Sequence, residues 1–187
     1  MPILERETSV FPDTLFESPD FEPGKSQRRW WAIFTKARQE KALARELLRL
    51  AVPFFLPLVP KTNLIRRRVV RSYLPLFGGY VFMFACDDER ARCLTSHRVS
   101  DLLRVDDQWR LRGDLKQLRQ LIDVGAPLTI ERRLEPGHRV RIKNGPMRGL
   151  EGIITHRRGG QRRLLVAVEF LEHGVSVEID DYMVEPV

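Results

Sequence analysis

The chain has 187 residues, 43% hydrophobic and 30% charged, with a formal net charge of +7. That length accommodates one large domain or two small ones, and no apolar run approaches the roughly 20 residues a membrane span requires. Two cysteines, Cys86 and Cys93, are too few for a disulfide scaffold or a cysteine zinc site, and the N-terminus lacks the basic start and apolar core of a secretory signal, so a reducing cytoplasm is the expected location.

Residues 1–27 carry a net charge of −4 and are rich in Pro, Glu, Asp and Ser. Phe11, Phe16 and Phe21 recur in this stretch, but Pro12, Pro19 and Pro23 interrupt any amphipathic period, and the composition predicts a disordered or loosely docked acidic tail. From Trp30 the pattern becomes globular. Trp30–Thr35 is aromatic and β-branched, as in a buried strand. Ala37–Ala51 has a helical stripe of Leu43, Ala44, Leu47, Leu48 and Ala51, ended by Pro53. Phe54–Val59 predicts a short second strand whose Pro57 implies an edge or a bulge. Lys61–Tyr73, with Arg66, Arg67, Arg68 and Arg71, reads as a basic hairpin arm. Gly79–Phe84 is continuously apolar and predicts a central strand. Asp87–Ser96 predicts a short helix with acids at its start, Leu102–Val105 a fourth strand, and Asp114–Ile122 a closing helix.

That order predicts an α+β sandwich with helices against a mainly antiparallel sheet over 28–125. This segment carries +10, and residues 126–187 carry +1, so the positive field is concentrated in the middle of the chain. Such a surface favours nucleic acid or an acidic protein partner. Residues 126–136 read as a linker. Beyond it the pattern is all β, over Arg139–Lys143, Gly152–His156, Arg163–Phe170 and Val175–Ile179, which predicts a small closed barrel.

Two segments carry most of the functional information. Between Gly137 and Ile154 the chain reads GHRVRIKNGPMRGLEGII. Val140 and Ile142 alternate with basic residues, Asn144-Gly145-Pro146 forces a turn, and Gly149 and Gly152 suit positions of positive φ or close backbone approach. The stretch resembles a KOW motif, carried by Gly137, Val140, Ile142, Gly145, Pro146, Gly149 and Gly152. The second segment, Pro75-Leu76-Phe77-Gly78-Gly79-Tyr80-Val81-Phe82-Met83-Phe84, is a glycine turn feeding a strand, with Phe77 and Tyr80 expected to project at a sheet edge.

Together with Trp30-Trp31 and the Phe54–Leu58 run, these motifs resemble the NusG family of transcription elongation factors over about 30–187. Thr35–Lys41 and Phe55–Val59 bring the chain closest to its specialised antitermination paralogues, the RfaH-like and UpxY-like group. One departure is Gly78, which stands where the family usually has proline. The resemblance implies an N-terminal NGN-type α+β domain and a C-terminal SH3-like KOW barrel. It also implies a non-catalytic factor that suppresses pausing and termination.

Carried over from the family, the surface that docks on the RNA polymerase clamp helices comprises Trp31, Phe77, Gly79 and Tyr80, with Leu102 and Leu103 beside them. Glu89–Arg92 falls where relatives meet the opposite polymerase lobe, although it lacks their hydroxyl-rich pattern. Arg66, Arg67, Arg68 and Arg71 are candidates for contact with upstream or non-template DNA, the alternative being a solvated face. The KOW domain implies a ribosomal protein as partner, or the Rho terminator for housekeeping members. Two alternative readings are a housekeeping factor that also assists Rho-dependent termination and a KOW-type RNA-binding module associated with ribosomes.

His97, His138, His156 and His173 lack ligand spacing, and no nucleophile motif, P-loop or carboxylate pair occurs. The expectation is a monomeric binding protein with no cofactor, no metal, no membrane partner and no enzymatic activity.

Overall fold

Alternation along Arg29–Thr35 places Trp31, Ile33 and Thr35 on one face of a strand and Trp30, Ala32 and Phe34 on the other. All are buried except Phe34, which requires cover on both faces. The computed structural model describes residues 7–65, 68–131, 137–156, 162–168, 171, 173–179 and 184–187. In it this strand, β2, lies between β6 (Tyr80–Ala85) and β7 (Val99–Arg104), antiparallel to both. β3 (Phe54–Phe55) pairs with the other side of β6, and β1 (Val10–Phe11) pairs with β3. The order is therefore β1-β3-β6-β2-β7. The chain divides into two compact units, Met1–Trp109 and Arg110–Val187, and this sheet frames the first.

One face is covered by α1 (Glu40–Arg49), whose Leu43, Ala44 and Leu47 pack in one cluster with Trp31, Ile33, Val81 and Met83. The helix is shorter than its apolar stripe because the backbone turns left-handed at Arg38 (φ 59°) and Ala51 (φ 54°). Ala51 and Val52 donate to the Leu48 and Leu47 carbonyls, which closes the C-terminus. α2 (Asp87–Leu94) contributes Cys93 to the same cluster. Glu89 caps this helix by accepting the Cys86 N–H at 3.0 Å. It is itself gripped by Arg28, Nε at 2.9 Å and Nη2 at 2.5 Å.

The opposite face corrects the expectation for residues 1–27. From residue 7 onward the segment is folded. Leu15 and Phe16 are buried, Phe16 stacks on Trp30 at 5.8 Å, and Phe21 meets Phe84 edge-on at 6.3 Å. The prolines break helical periodicity without preventing aromatic packing.

The expected strand Phe54–Val59 is two strands. Pro57 has no N–H for the ladder, so β3 ends before it, and β4 (Leu58–Ile65) begins a separate two-stranded arm with β5 (Arg68–Pro75). Eight residues per strand make this arm about 25 Å long. α3 (Gln108–Val124) starts six residues before the expected Asp114 cap and buries Leu111, Leu115, Leu118 and Leu121. Its first side chain, Gln108, accepts the Trp30 N–H at 2.5 Å and donates to the Trp30 and Val105 carbonyls at 3.0 and 2.8 Å.

The two compact units divide within α3. In the second unit, Gln117 accepts the Glu151 N–H at 2.6 Å and Gln120 donates to the Arg148 carbonyl at 3.2 Å. There follow β8 (Thr129–Glu131), β9 (His138–Ile142), β10 (Glu151–His156), β11 (Arg162–Val168), β12 (His173–Glu178) and β13 (Val184–Pro186). They form one antiparallel sheet in the order β13-β9-β10-β11-β12-β8. Part of the expected linker is thus structured, because Thr129–Glu131 bonds to β12. Among the described residues no ladder joins β13 to β8.

Candidate functional site

The turn Phe77–Tyr80 feeds the central strand β6, and three hydrogen bonds fix it. Tyr80 N–H donates to the Phe77 carbonyl at 3.2 Å, and Thr35 N–H to the Gly79 carbonyl at 2.7 Å. Gly79 N–H donates to Oε1 of Glu40 at 2.7 Å. Glu40 is almost fully buried, so this bond ties the first turn of α1 to the glycine turn. Gly79 has φ +87°, and a Cβ there would lie 2.7 Å from the Phe34 ring. Glycine is therefore required both by backbone conformation and by space. Gly78 has neither constraint: a Cβ there would meet nothing within 4 Å, and its φ is not positive.

Phe34 sits directly opposite Tyr80 in the β2–β6 register, and their rings lie 5.3 Å apart at 53°. Phe34 is 41% exposed and Tyr80 half-buried. On the other side Phe34 pairs with Asp101 of β7, next to half-buried Leu102 and Leu103. Leu102 packs on the α1-side cluster. Leu103, opposite Ala32, belongs to the other face.

Two residues expected on the docking patch lie in the core instead. Phe77 is 6% exposed. Trp31, 7% exposed, packs beneath α1, donates its indole N–H to the Ala85 carbonyl at 3.3 Å and carries the Arg90 guanidinium over its ring at 5.1 Å. The turn also feeds the centre of the sheet, not its edge. Phe34 was missed by sequence reasoning. Its signal was there: it ends a face begun by Trp30 and Ala32, next to the exposed Lys36-Ala37-Arg38 loop, where cover runs out.

Within Glu89–Arg92, Glu89 is committed to Arg28 and the Cys86 N–H, and Arg90 to Trp31. The guanidinium of Arg28 holds the Glu89 carboxyl below its ordinary range, and the same bond raises Arg28. Arg66 and Arg67 lie outside the described residues. The backbones of Arg68 and Arg71 lie in β5, opposite Ile65 and Thr62.

The glycine-rich stretch of the second unit forms the β9–β10 hairpin. Val140 and Ile142 are buried, and Ile142 exchanges backbone bonds with Gly149 and Leu150. Gly145 and Gly149 have φ of +83° and +86°, and Pro146 is exposed. At Gly137 a Cβ would meet the Ile154 carbonyl oxygen at 2.5 Å, and at Gly152 the Leu165 oxygen at 2.4 Å. Among the described residues no group of three or more His, Cys, Asp or Glu is placed to hold a metal ion, and no helix is long and apolar enough to cross a membrane.

These features define an α+β lobe with a partly exposed aromatic pair at one end of a stiff sheet, followed by a second unit that is β-rich beyond α3. A family model described as transcription termination factor NusG matches residues 28–128, more than half of the chain. The chain belongs to the NusG family of non-enzymatic transcription factors, which gives it a general role in transcription elongation. No curated protein matches the sequence. Among solved structures, one of Thermotoga maritima NusG, described for its domain interaction, is 17% identical with a TM-score of 0.48, covering 86% of this chain and 97% of that one. The MjSpt4:Spt5 complex is 14% identical with a TM-score of 0.26, covering 84% and 96%. Likenesses this remote carry no functional weight, and the family assignment rests on the sequence match.

Proposed function

We propose that the chain is a transcription elongation factor that binds RNA polymerase and suppresses pausing and termination, as a specialised member of its family. The observation that carries this reading is the Phe34–Tyr80 pair, held by Gly79 and Glu40 at the end of the sheet. Aromatic rings on a rigid frame bind at small entropic cost and supply most of the energy of ordinary interfaces. Phe34 and Tyr80, with Leu103 on the same face, dock on the polymerase clamp helices, while Leu102 packs toward α1. Glu89–Arg92 lies toward the opposite lobe. A factor that binds both sides of the cleft favours the closed, elongating conformation and shifts the population toward it.

The +10 charge of residues 28–125 supports a contact of Arg66, Arg67, Arg68 and Arg71 with upstream or non-template DNA. Residues 137–187 act as a KOW domain, tethered to the NGN domain (28–125) at high effective concentration, and recruit a ribosomal protein. The protein works as a monomer in the cytoplasm. Thr35–Lys41 and Phe55–Val59 support the specialised role over the housekeeping one, which would add Rho as a partner.

Transcription through a pause site with purified polymerase tests this. The wild-type protein is expected to shorten pauses, and a Phe34→Ala, Tyr80→Ala double variant that melts cooperatively is expected to have no effect. Pausing unchanged by saturating wild-type protein would overturn the reading.

A further inference from the structure

Three strands set a row of side chains across one end of the first sheet. Tyr80 of β6, Phe34 of β2 and Asp101 of β7 lie opposite one another in register, so all three share a face. β7 is the edge strand of that sheet, which leaves the Asp101 end of the row open to an approaching partner. Asp101 is exposed and Phe34, beside it, is 41% exposed.

The Asp101 carboxylate is oriented but uncommitted. Its Oδ1 accepts the Leu102 N–H at 2.7 Å, which fixes the group. Among the described residues Asp101 forms no ion pair, and no donor reaches its other oxygen. Glu46 and Glu89, by contrast, are paired with Arg98 and Arg28, and the nearby Arg104 pairs with Asp106. In a segment that carries +10, this acid is left without a cation of its own.

An open ring beside a fixed, free carboxylate matches one chemical group closely. A guanidinium is planar, so it can lie on the ring and still direct two N–H groups at the carboxylate, whereas an ammonium is a point charge. Resting on the docking reading above, we propose that Phe34 and Asp101 form an arginine socket. An arginine projecting from the partner helix stacks on Phe34 and bonds to Asp101, while Tyr80 supports the ring from the other side. The rings supply apolar contact, and the carboxylate selects a helix that carries a cation at that place.

Two measurements on the full chain test this. Isotope-labelled protein is titrated with N-acetylarginine amide and, separately, N-acetyllysine amide at millimolar concentration. The arginine probe should shift the Phe34 and Asp101 amide signals more than the lysine probe does. Asp101→Asn, which keeps an acceptor for the Leu102 N–H, should abolish that difference. Equal responses to the two probes, or an undiminished difference in Asp101→Asn, would overturn the socket. On RNA polymerase, Asp101→Asn should bind about tenfold more weakly and Asp101→Arg more weakly still. Asp106→Asn, which removes an exposed acid outside the row, should bind as wild type does. Polymerase binding indifferent to Asp101 would overturn the socket and leave the docking reading standing. A wild-type chain that ignores polymerase yet prefers the arginine probe would keep the socket and overturn the docking reading.

Discussion

Phe34 and Phe77 are neighbours in the candidate site with opposite surroundings, and truncating each should produce opposite phenotypes. Phe77 is 6% exposed, so Phe77→Ala is a core deletion with transfer and cavity terms together, about 3–5 kcal/mol. Phe34 is 41% exposed, so Phe34→Ala forfeits only part of the roughly 1.5–3 kcal/mol of a fully buried ring and leaves no cavity. Its cost is about 1–2 kcal/mol, the upper end including the ring contact with Tyr80. With a urea slope of about 1–3 kcal/mol per molar, the two midpoints should differ by about 1 M. All three tryptophans, Trp30, Trp31 and Trp109, lie in the first unit, so intrinsic fluorescence follows that unit alone. Retention on immobilised polymerase should rank the folded variants the other way, with Phe34→Ala the weaker. Equal midpoint losses would refute the burial reasoning. Full retention of Phe34→Ala would refute the assignment of the aromatic pair to the interface.

In the second unit, Gly152→Ala puts a Cβ 2.4 Å from the Leu165 carbonyl, and the backbone shift this demands should cost about 1–3 kcal/mol. Hydrogen exchange across the β10–β11 ladder would register the loss, with Gly78→Ala as a near-neutral comparison. Glu89, depressed by Arg28, contributes stability above an unfolded carboxyl value of about 4.5, and that contribution disappears as the pH falls through its lower folded value. The wild-type urea midpoint should therefore fall more steeply below pH 4.5 than that of Glu89→Gln; parallel curves would exclude this coupling. Burial, and then the nearby Glu46, push the Cys93 thiol up to about 12, while Cys86 is half-exposed. A thiol reagent at neutral pH should label one cysteine quickly in the native protein and both in urea.

The sheet of the first unit was legible because its strands carry local signals. Trp30–Thr35 and Gly79–Phe84 are apolar runs bounded by turns, and the stripe from Leu43 to Leu48 has helical period. The start of α3 was not legible: Gly113, a poor helix former, and the capping look of Asp114 hid the turn that begins at Gln108. The N-terminal segment escaped for a different reason. Val10, Leu15 and Phe16 are buried but have no common period, and Val10 and Phe16 find their partners later in the chain, at Phe55 and at Trp30 and Phe55. β8 and β13 are three residues each, too short to show alternation, and exist because β12 and β9 offer them free edges. In the candidate site, Gly79 and Tyr80 were recognisable from the glycine turn. The inward turn of Phe77 and the outward position of Phe34 depend on tertiary packing, which residue type does not encode.

Gln108 has a consequence for how far the first sheet can grow. Where β7 stops at Arg104, a single carboxamide takes over both backbone groups of Trp30, giving and receiving as a neighbouring peptide unit would. The amide acts as a register stop. An incoming strand finds no unpaired groups at Trp30, and any strand slip along β2 must first break both of these bonds. A carboxylate at this position could accept from Trp30 but would face its carbonyl with negative charge, so fidelity at this corner depends on the amide having a donor and an acceptor on the same planar group.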